Sequence, residues 1–349
     1  MEQTLVYQND AARELTGLVR EEQKRHTEEM DIAIDRFCER MAYISTRSVE
    51  RGANPDELLI VLTKAIMDLE RESVEFERQV NYDPSAIKEI RTHLRKRTEQ
   101  IFAESYFHHA RVWPQGYPGD YKMIEFLYRN APISQGVGHY LDRYFLATTL
   151  STAVRERKET LRALIKAELD ARSEPRVLDI ACGSCREVFE LAPEIIRSGA
   201  HIACLDLDAD ALAFSANRMK HAGIPDEQLD FRQYNALRMV SHERNVREFG
   251  MQDVIYSVGF FDYLDDAVLV RLLSSLERLL LPGGVLIASF KDSRAYRSFD
   301  TSWLLDWDAF YRRRVEDMWT LLDNAGFDRD RITTRREPSG VILFFSVNK

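Results

Sequence analysis

The chain predicts an α/β fold: an open, mostly parallel sheet of seven strands with helices on both faces, preceded by an all-helical portion. Three observations carry this expectation. Glycine is sparse at first, with only Gly17 and Gly52 in residues 1–112, against nine glycines in residues 175–349. From Arg176 onward, short apolar runs alternate with amphipathic stretches. One of these runs, Val177–Ala181, passes through Cys182-Gly183-Ser184-Cys185 into a helical pattern. In such a strand–turn–helix unit, backbone N–H groups face a ligand and a missing side chain lets it approach.

Composition sets the outer bounds. A chain of 349 residues, 45% apolar, is long enough for two domains and too apolar for wholesale disorder. No apolar run approaches the roughly 18 residues a spanning helix needs. Residues 1–30 alternate charges and show no secretory h-region, and four scattered cysteines suit a reducing compartment, so a cytoplasmic location is expected. With 48 basic against 57 acidic side chains, the net charge of −9 argues against a nucleic-acid partner.

The elements follow in order. Residues 10–47 carry Leu15, Leu18, Val19, Met30, Ile34, Phe37, Met41 and Ile44 at spacings near three and four, the signature of an amphipathic helix. Gly52-Ala53-Asn54-Pro55 breaks it, with Asn54 as a cap and Pro55 at the first position of a helix over 55–79. Asp83-Pro84 opens another, through about Tyr106. Trp113-Pro114-Gln115-Gly116-Tyr117-Pro118-Gly119-Asp120-Tyr121 packs aromatic, Gly and Pro residues together and reads as a structured loop. After breaks near Pro132 and Gly136-Val137-Gly138, a long helix delivers the chain to Glu174-Pro175. The expected domains are therefore 1–140, helical, with helices over 1–112 and an aromatic lid with helices over 113–140; a linking helix, 141–174; and the sheet domain, 175–349. Strands are expected at 176–181, 201–206, 229–234, 253–258, 284–290, 331–336 and 341–347. Glu337-Pro338-Ser339-Gly340 is a hairpin signal that makes the last strand antiparallel.

The candidate site residues lie where strands end. Val177-Leu178-Asp179-Ile180-Ala181-Cys182-Gly183 resembles the S-adenosylmethionine (SAM) binding loop, which usually reads acid–x–Gly–x–Gly–x–Gly. Only Gly183 stands here, with Ala181 and Cys185 in the other two glycine positions. Asp206 ends the second strand 23 residues past Gly183, near the spacing of about 20 at which an acid reaches ribose hydroxyls in dinucleotide folds. Leu205-Asp206-Leu207-Asp208 looks like the second SAM motif, Asn235-Ala236 occupies the position that meets adenine, and Leu281-Pro282-Gly283-Gly284 precedes the fifth strand. The glycine spacing fits a dinucleotide less well, and no Gly-x4-Gly-Lys-Ser/Thr occurs. Cys182 and Cys185 form a C-x-x-C pair, but no second cysteine pair and no histidine pair has zinc spacing, so small-residue packing is the preferred reading and no metal is expected.

Taken together, these motifs resemble a class I SAM-dependent methyltransferase. Gly116–Tyr121, Ala181–Glu187, Tyr256–Tyr263 and Leu305-Asp306-Trp307 through Arg312 further resemble the bacterial extracellular-factor group, which makes 3-hydroxy fatty acid methyl esters, over roughly residues 113–345. The resemblance implies a Rossmann-like seven-stranded sheet with an N-terminal helical lid domain. It also implies SAM as cofactor, S-adenosylhomocysteine as product and a small-molecule acceptor of secondary metabolism. Tyr117, Tyr121, Arg157, Asp179, Ala181, Gly183, Asp206, Leu207, Asn235, Ala236 and Ser257 are the expected cofactor residues, with Arg157 a candidate for the methionine carboxylate. An aromatic ring near the sulfonium would add cation–π attraction.

For catalysis the candidates are Asp262, Tyr263, His139 and Tyr117. A hydroxyl or amine acceptor would use a base such as Asp262 or His139. A carboxylate acceptor would need only a positive clamp, for which Arg294, Arg297 and Arg312 are candidates. Two other classes fit the same motifs: a SAM-consuming cyclase that forms an azetidine ring and releases methylthioadenosine, and a non-catalytic SAM-binding or assembly protein. The long N-terminal helices also suit a homodimer. No Asn/Asp-Pro-Pro-Tyr/Phe follows the fourth strand, which speaks against an amino-methylating DNA enzyme.

Overall fold

The computed structural model describes residues 2–307 and 309–349; the side chains of residues 2–20 and Gln23 are not among those described. The expected core positions Leu15, Leu18 and Val19 therefore lie outside the described residues, as does Asp308. The described chain divides into two compact units. One holds the chain up to Val112 with Ala131–Phe145 and Ser298–Asp306; the other holds Trp113–Asn130, Leu146–Arg297 and Trp307–Lys349.

The first unit is helical. Its main helices are Glu2–Ser48, Pro55–Gln79, Pro84–Arg97 and the greater part of Gly136–Leu146. Asn54 and Asp83 cap as expected: Asn54 accepts from the Asp56 amide at 3.0 Å, and Asp83 from Ser85 and Ala86. Met30, Ile34, Phe37, Met41 and Ile44 are all buried, as are Leu62, Ile66, Leu69 and Phe76 opposite. The helix expected to reach Tyr106 stops at Arg97. There the Thr98 hydroxyl donates back to the Leu94 carbonyl at 2.8 Å, which competes with the helical ladder.

The third piece of this unit, Ser298–Asp306, comes from late in the chain. Trp303 anchors it: the indole is buried, stacks on Phe299, meets Phe76 edge-on at 6.4 Å and donates to Glu77 at 2.9 Å. Tyr144 donates to Asp300, and the Arg111 guanidinium to the Leu304 carbonyl.

The second unit is the sheet. Its strands are β1 (Arg176–Ile180), β2 (His201–Asp206), β3 (Leu229–Gln233), β4 (Gln252–Ser257), β5 (Leu280–Lys291), β6 (Ile332–Arg336) and β7 (Ile342–Asn348). They lie in the order β3-β2-β1-β4-β5-β7-β6. The pairings among β1–β5 are parallel, and β7 runs antiparallel to both β5 and β6. β1 is nearly all buried because both sheet faces are covered. Leu178, Ile180, Leu205, Ile255 and Leu286 pack on one face with Leu269, Leu272 and Leu276; Val177, Ile202, Val254 and Ile287 pack on the other with Leu161, Ile165 and Ile195. The strand order reverses between β1 and β4, and in open α/β sheets ligands bind at the strands' carboxyl ends at such a switch point. Among the described residues no helix is long and apolar enough to cross a membrane.

Two boundaries differ from the sequence expectation. The lid segment 113–130 groups with the sheet rather than with the helices. Glu125 holds it there through a two-oxygen pairing with Arg218 at 2.6 and 2.7 Å. Residues 298–306 group with the helices for the reasons just given.

Candidate active site

The turn after β1 is built on three left-handed residues: Ala181 (φ 57°), Gly183 (φ 54°) and Cys185 (φ 45°). These are the three alternate positions where the resembling loop carries glycine. Ala181 and Cys185 thus hold a conformation that glycine takes without strain, at a cost of about 1–2 kcal/mol each. Hydrogen bonds hold the conformation. The Gly183 amide donates to Asp206 Oδ2 at 2.8 Å, Cys182 N to the Leu205 carbonyl at 3.0 Å, and Ser215 Oγ to the Gly183 carbonyl at 3.0 Å. A Cβ placed on Gly183 would meet no protein atom within 4 Å, so the space over the turn is open.

Acidic groups ring this turn. Asp206 Oδ1 also accepts from the Asp208 amide at 2.9 Å, and burial, with Asp208 nearby, raises its pKa. Asp179 is buried, and its Oδ2 has no hydrogen-bond partner among the described residues. Burial first and Glu187 second push its pKa well above the usual carboxylate range. Burial likewise lifts Glu187 to about 7, and the Tyr256 hydroxyl donates to it at 3.4 Å. Arg157 is 7% exposed, its Nε has no partner, and no described carboxylate lies within ion-pair distance. Its guanidinium lies against Gly259, where an added Cβ would come within 2.8 Å of Nη1.

The remaining expected cofactor residues take varied places. Ser257 is fully buried and donates to the Ile180 carbonyl at 2.8 Å, stitching β4 to β1. Asn235 is exposed, and its carbonyl oxygen accepts from the Leu237 amide at 3.0 Å, so one of its acceptor positions is already used. Ala236 is buried beside it. Leu207 and Leu237, after β2 and β3, expose 61% and 45% of their surface, unusual for leucines beside a packed sheet.

The aromatic loop packs on the same unit. Tyr117 donates to Asp208 Oδ2 at 3.0 Å, and burial followed by the charges of Asp206 and Asp208 keeps its hydroxyl protonated. Tyr121 packs on Phe214 with ring centroids 5.1 Å apart. Tyr263 accepts from Trp307 Nε1 at 2.9 Å, and a Cβ on Gly119 would lie 2.6 Å from the Trp307 ring.

Asp262, expected as a candidate base, is already engaged. It is buried and bound to Lys291, whose Nζ lies 2.7 Å and backbone amide 3.2 Å from its two carboxylate oxygens. Burial lowers the Lys291 pKa, and its ammonium sits 3.7 Å from the centroid of Phe310. His139 belongs to the helical unit, edge-on to Tyr140, and not to the unit that carries the strand ends. Arg294, Arg297 and Arg312 are exposed, and Arg294 pairs with Glu316 at 3.2 Å. The inward arginine is Arg313, which binds Asp266 and the Phe261 carbonyl and so serves the loop itself. Sequence reasoning missed Glu187, Tyr256 and Lys291. The available signal for Lys291 was a lone charge closing the apolar run of β5.

A methyltransferase-domain family matches residues 178–286. No curated protein sequence matches the chain. Among solved structures, a possible exported protein from Bordetella parapertussis is similar over 93% of this chain and 96% of its own, at 15% identity and a TM-score of 0.55, a likeness of fold. The magnesium protoporphyrin IX methyltransferase of Synechocystis, with bound SAM, matches 57% of this chain and 83% of its own, at 15% identity and TM-score 0.41. The [4+2]-cyclase SpnF matches 56% of this chain and 81% of its own, at 14% identity and TM-score 0.41. The methyltransferase-domain model thus covers residues 178–286, the stretch that runs from β1 into β5, and the likeness over the whole chain is one of fold.

Proposed function

We propose that this protein methylates a carboxylate of a small molecule, such as a hydroxy fatty acid. The observation that carries the reading is the Asp262–Lys291 pair. The acid that follows β4, where a base would stand, is already neutralised by a buried ammonium. An acceptor that is nucleophilic without losing a proton suits such a site, and a carboxylate is one at neutral pH.

The residues fit SAM on four counts. The space over Gly183 is open. Asp179 Oδ2 is buried and unpartnered, as an ammonium would require of its acceptor. Arg157 is a buried guanidinium lacking a carboxylate, suited to the methionine end. Leu207 and Leu237 offer exposed apolar surface for a flat base, while Asp206 accepts from ribose hydroxyls with its remaining lone pairs. When bound, SAM supplies a methyl group already activated on a sulfonium. The chain's own task is to orient the acceptor in line and exclude water, which the Tyr117 loop and Tyr263 do from above.

Incubation with methyl-labelled SAM and matched hydroxy acids, alcohols and amines tests this. Methyl esters are expected, with one S-adenosylhomocysteine per ester. Label on the alcohols or amines alone would overturn the carboxylate assignment, and methylthioadenosine as the nucleoside product would overturn methyl transfer itself. Gly259→Ala probes Arg157 directly. The new methyl group displaces the guanidinium, and SAM affinity by calorimetry should fall about tenfold, roughly 1.4 kcal/mol.

A further inference from the structure

Three of the four cysteines meet beneath the cofactor turn. Cys182 and Cys185 lie on the turn itself and Cys204 on β2, and the three thiols influence one another's ionisation. Cys182 is 8% exposed and the other two are fully buried. The donor atoms of Asp179, Cys182 and Cys185 all lie within 4.8 Å of one another. Asp179 and Cys204 are register neighbours on parallel strands, so their side chains share one face of the sheet. Asp179 Oδ2 has no partner among the described residues. Cys185 holds its thiol in this cluster from a left-handed backbone that glycine would adopt without strain. A clustered set of sulfurs beside an orphaned carboxylate oxygen is a donor set, not merely a small-residue filling.

We propose that Cys182, Cys185 and Cys204, with Asp179 as fourth donor, bind one thiophilic divalent ion of the zinc class. Tetrahedral Zn–S and Zn–O bonds of about 2.3 and 2.1 Å set donors about 3.5–3.8 Å apart. The separations among Asp179, Cys182 and Cys185 need to close by about 1 Å, within the reach of side-chain rotation about the turn, and Cys204, outside that trio, must turn in from β2 to join them. Each thiol that ligates releases its proton to solvent, so binding strengthens as pH rises. The third sulfur comes from the neighbouring strand, which is why cysteine spacing along the sequence gave no zinc signature. Asp179 would be claimed by both the ion and the cofactor, so the two should oppose each other; this second element alone rests on the proposed cofactor role of Asp179.

The test uses full-length, reduced, chelator-treated protein titrated with Cd²⁺, following the ultraviolet thiolate-to-metal band. One equivalent should saturate a band of three thiolates. Cys38→Ser, in the other unit, should leave it unchanged, whereas Cys204→Ala should cut the band by about a third and weaken binding at least tenfold. Cys185→Gly guards against misfolding, because it relieves the left-handed strain: it should fold at least as well as the parent by urea titration yet lose the tight ion. No saturable band, or a band that survives Cys204→Ala and Cys185→Gly, would sink the site. SAM and Cd²⁺ should raise each other's Kd by the same factor. Ion binding with unchanged SAM affinity would overturn the sharing of Asp179 by ion and cofactor, and an Asp179→Asn variant that keeps the parental Cd²⁺ affinity would overturn Asp179 as the fourth donor.

Discussion

Lys291→Met should destabilise the fold by about 3–5 kcal/mol, because it strands the Asp262 carboxylate in a site where both partners are nearly inaccessible. Methionine keeps the length and the contact with Phe310 while removing the charge, so the loss reports the unpaired acid and not a cavity. Asp262→Asn on that background should recover most of it, since the amide oxygen still accepts from the Lys291 backbone amide. Urea midpoints measure both. The pH profile offers a second readout. The folded-state pKa of Lys291 lies below its usual 10.5, so between the two the unfolded chain binds more protons and stability rises with pH. That component should be missing from the methionine variant's own pH curve and should appear in the difference between parent and variant. A single variant within 1 kcal/mol of the parent would mean the pair is solvated.

Gly183→Val should abolish measurable SAM binding, a loss of at least about a hundredfold or 2.7 kcal/mol, while leaving the protein folded. The two effects separate because of what surrounds the position. No protein atom lies within 4 Å of the added Cβ, so the native packing has nothing to clash with. The left-handed φ of 54° costs a β-branched residue about 2 kcal/mol, a moderate fall in the unfolding midpoint. The new side chain, however, fills the open space over the turn. Asp206→Ala should be milder for the ligand, about 1–3 kcal/mol, but it also leaves the Gly183 and Asp208 amides without their acceptor. Calorimetry that found parental SAM affinity in the valine variant would show that this turn is not the cofactor loop.

What the sequence disclosed, and what it hid, follows the range of the interactions. Six of the seven strands begin and end within about a residue of expectation, because apolar periodicity is local and the sheet is buried on both faces. β5 began earlier than expected, at Leu280, since Leu281-Pro282-Gly283-Gly284 reads as a turn but pairs through a register shift at Gln252/Val254. The glycine loop looked degraded because residue type was read where the constraint is on φ; Ala181 and Cys185 meet that constraint at a cost. Asp262 looked like a base because its partner lies 29 residues away on another strand. Arg312 looked like a clamp, but the bridge between Asp292 and Arg313 turns its neighbour inward instead. Each of these depends on a tertiary pairing that no window of sequence contains.

The helical unit also constrains the order in which the molecule can assemble. It is made of three separated stretches, and the last, Ser298–Asp306, lies near the end of the chain. Trp303, from that last stretch, packs edge-on against Phe76 of the early helices. On a ribosome the leading helices therefore wait, incomplete, until most of the sheet has emerged, although they are made first. Vectorial folding of the front half as a finished domain is closed to this topology, and the nascent helices carry an exposed aromatic socket through most of synthesis.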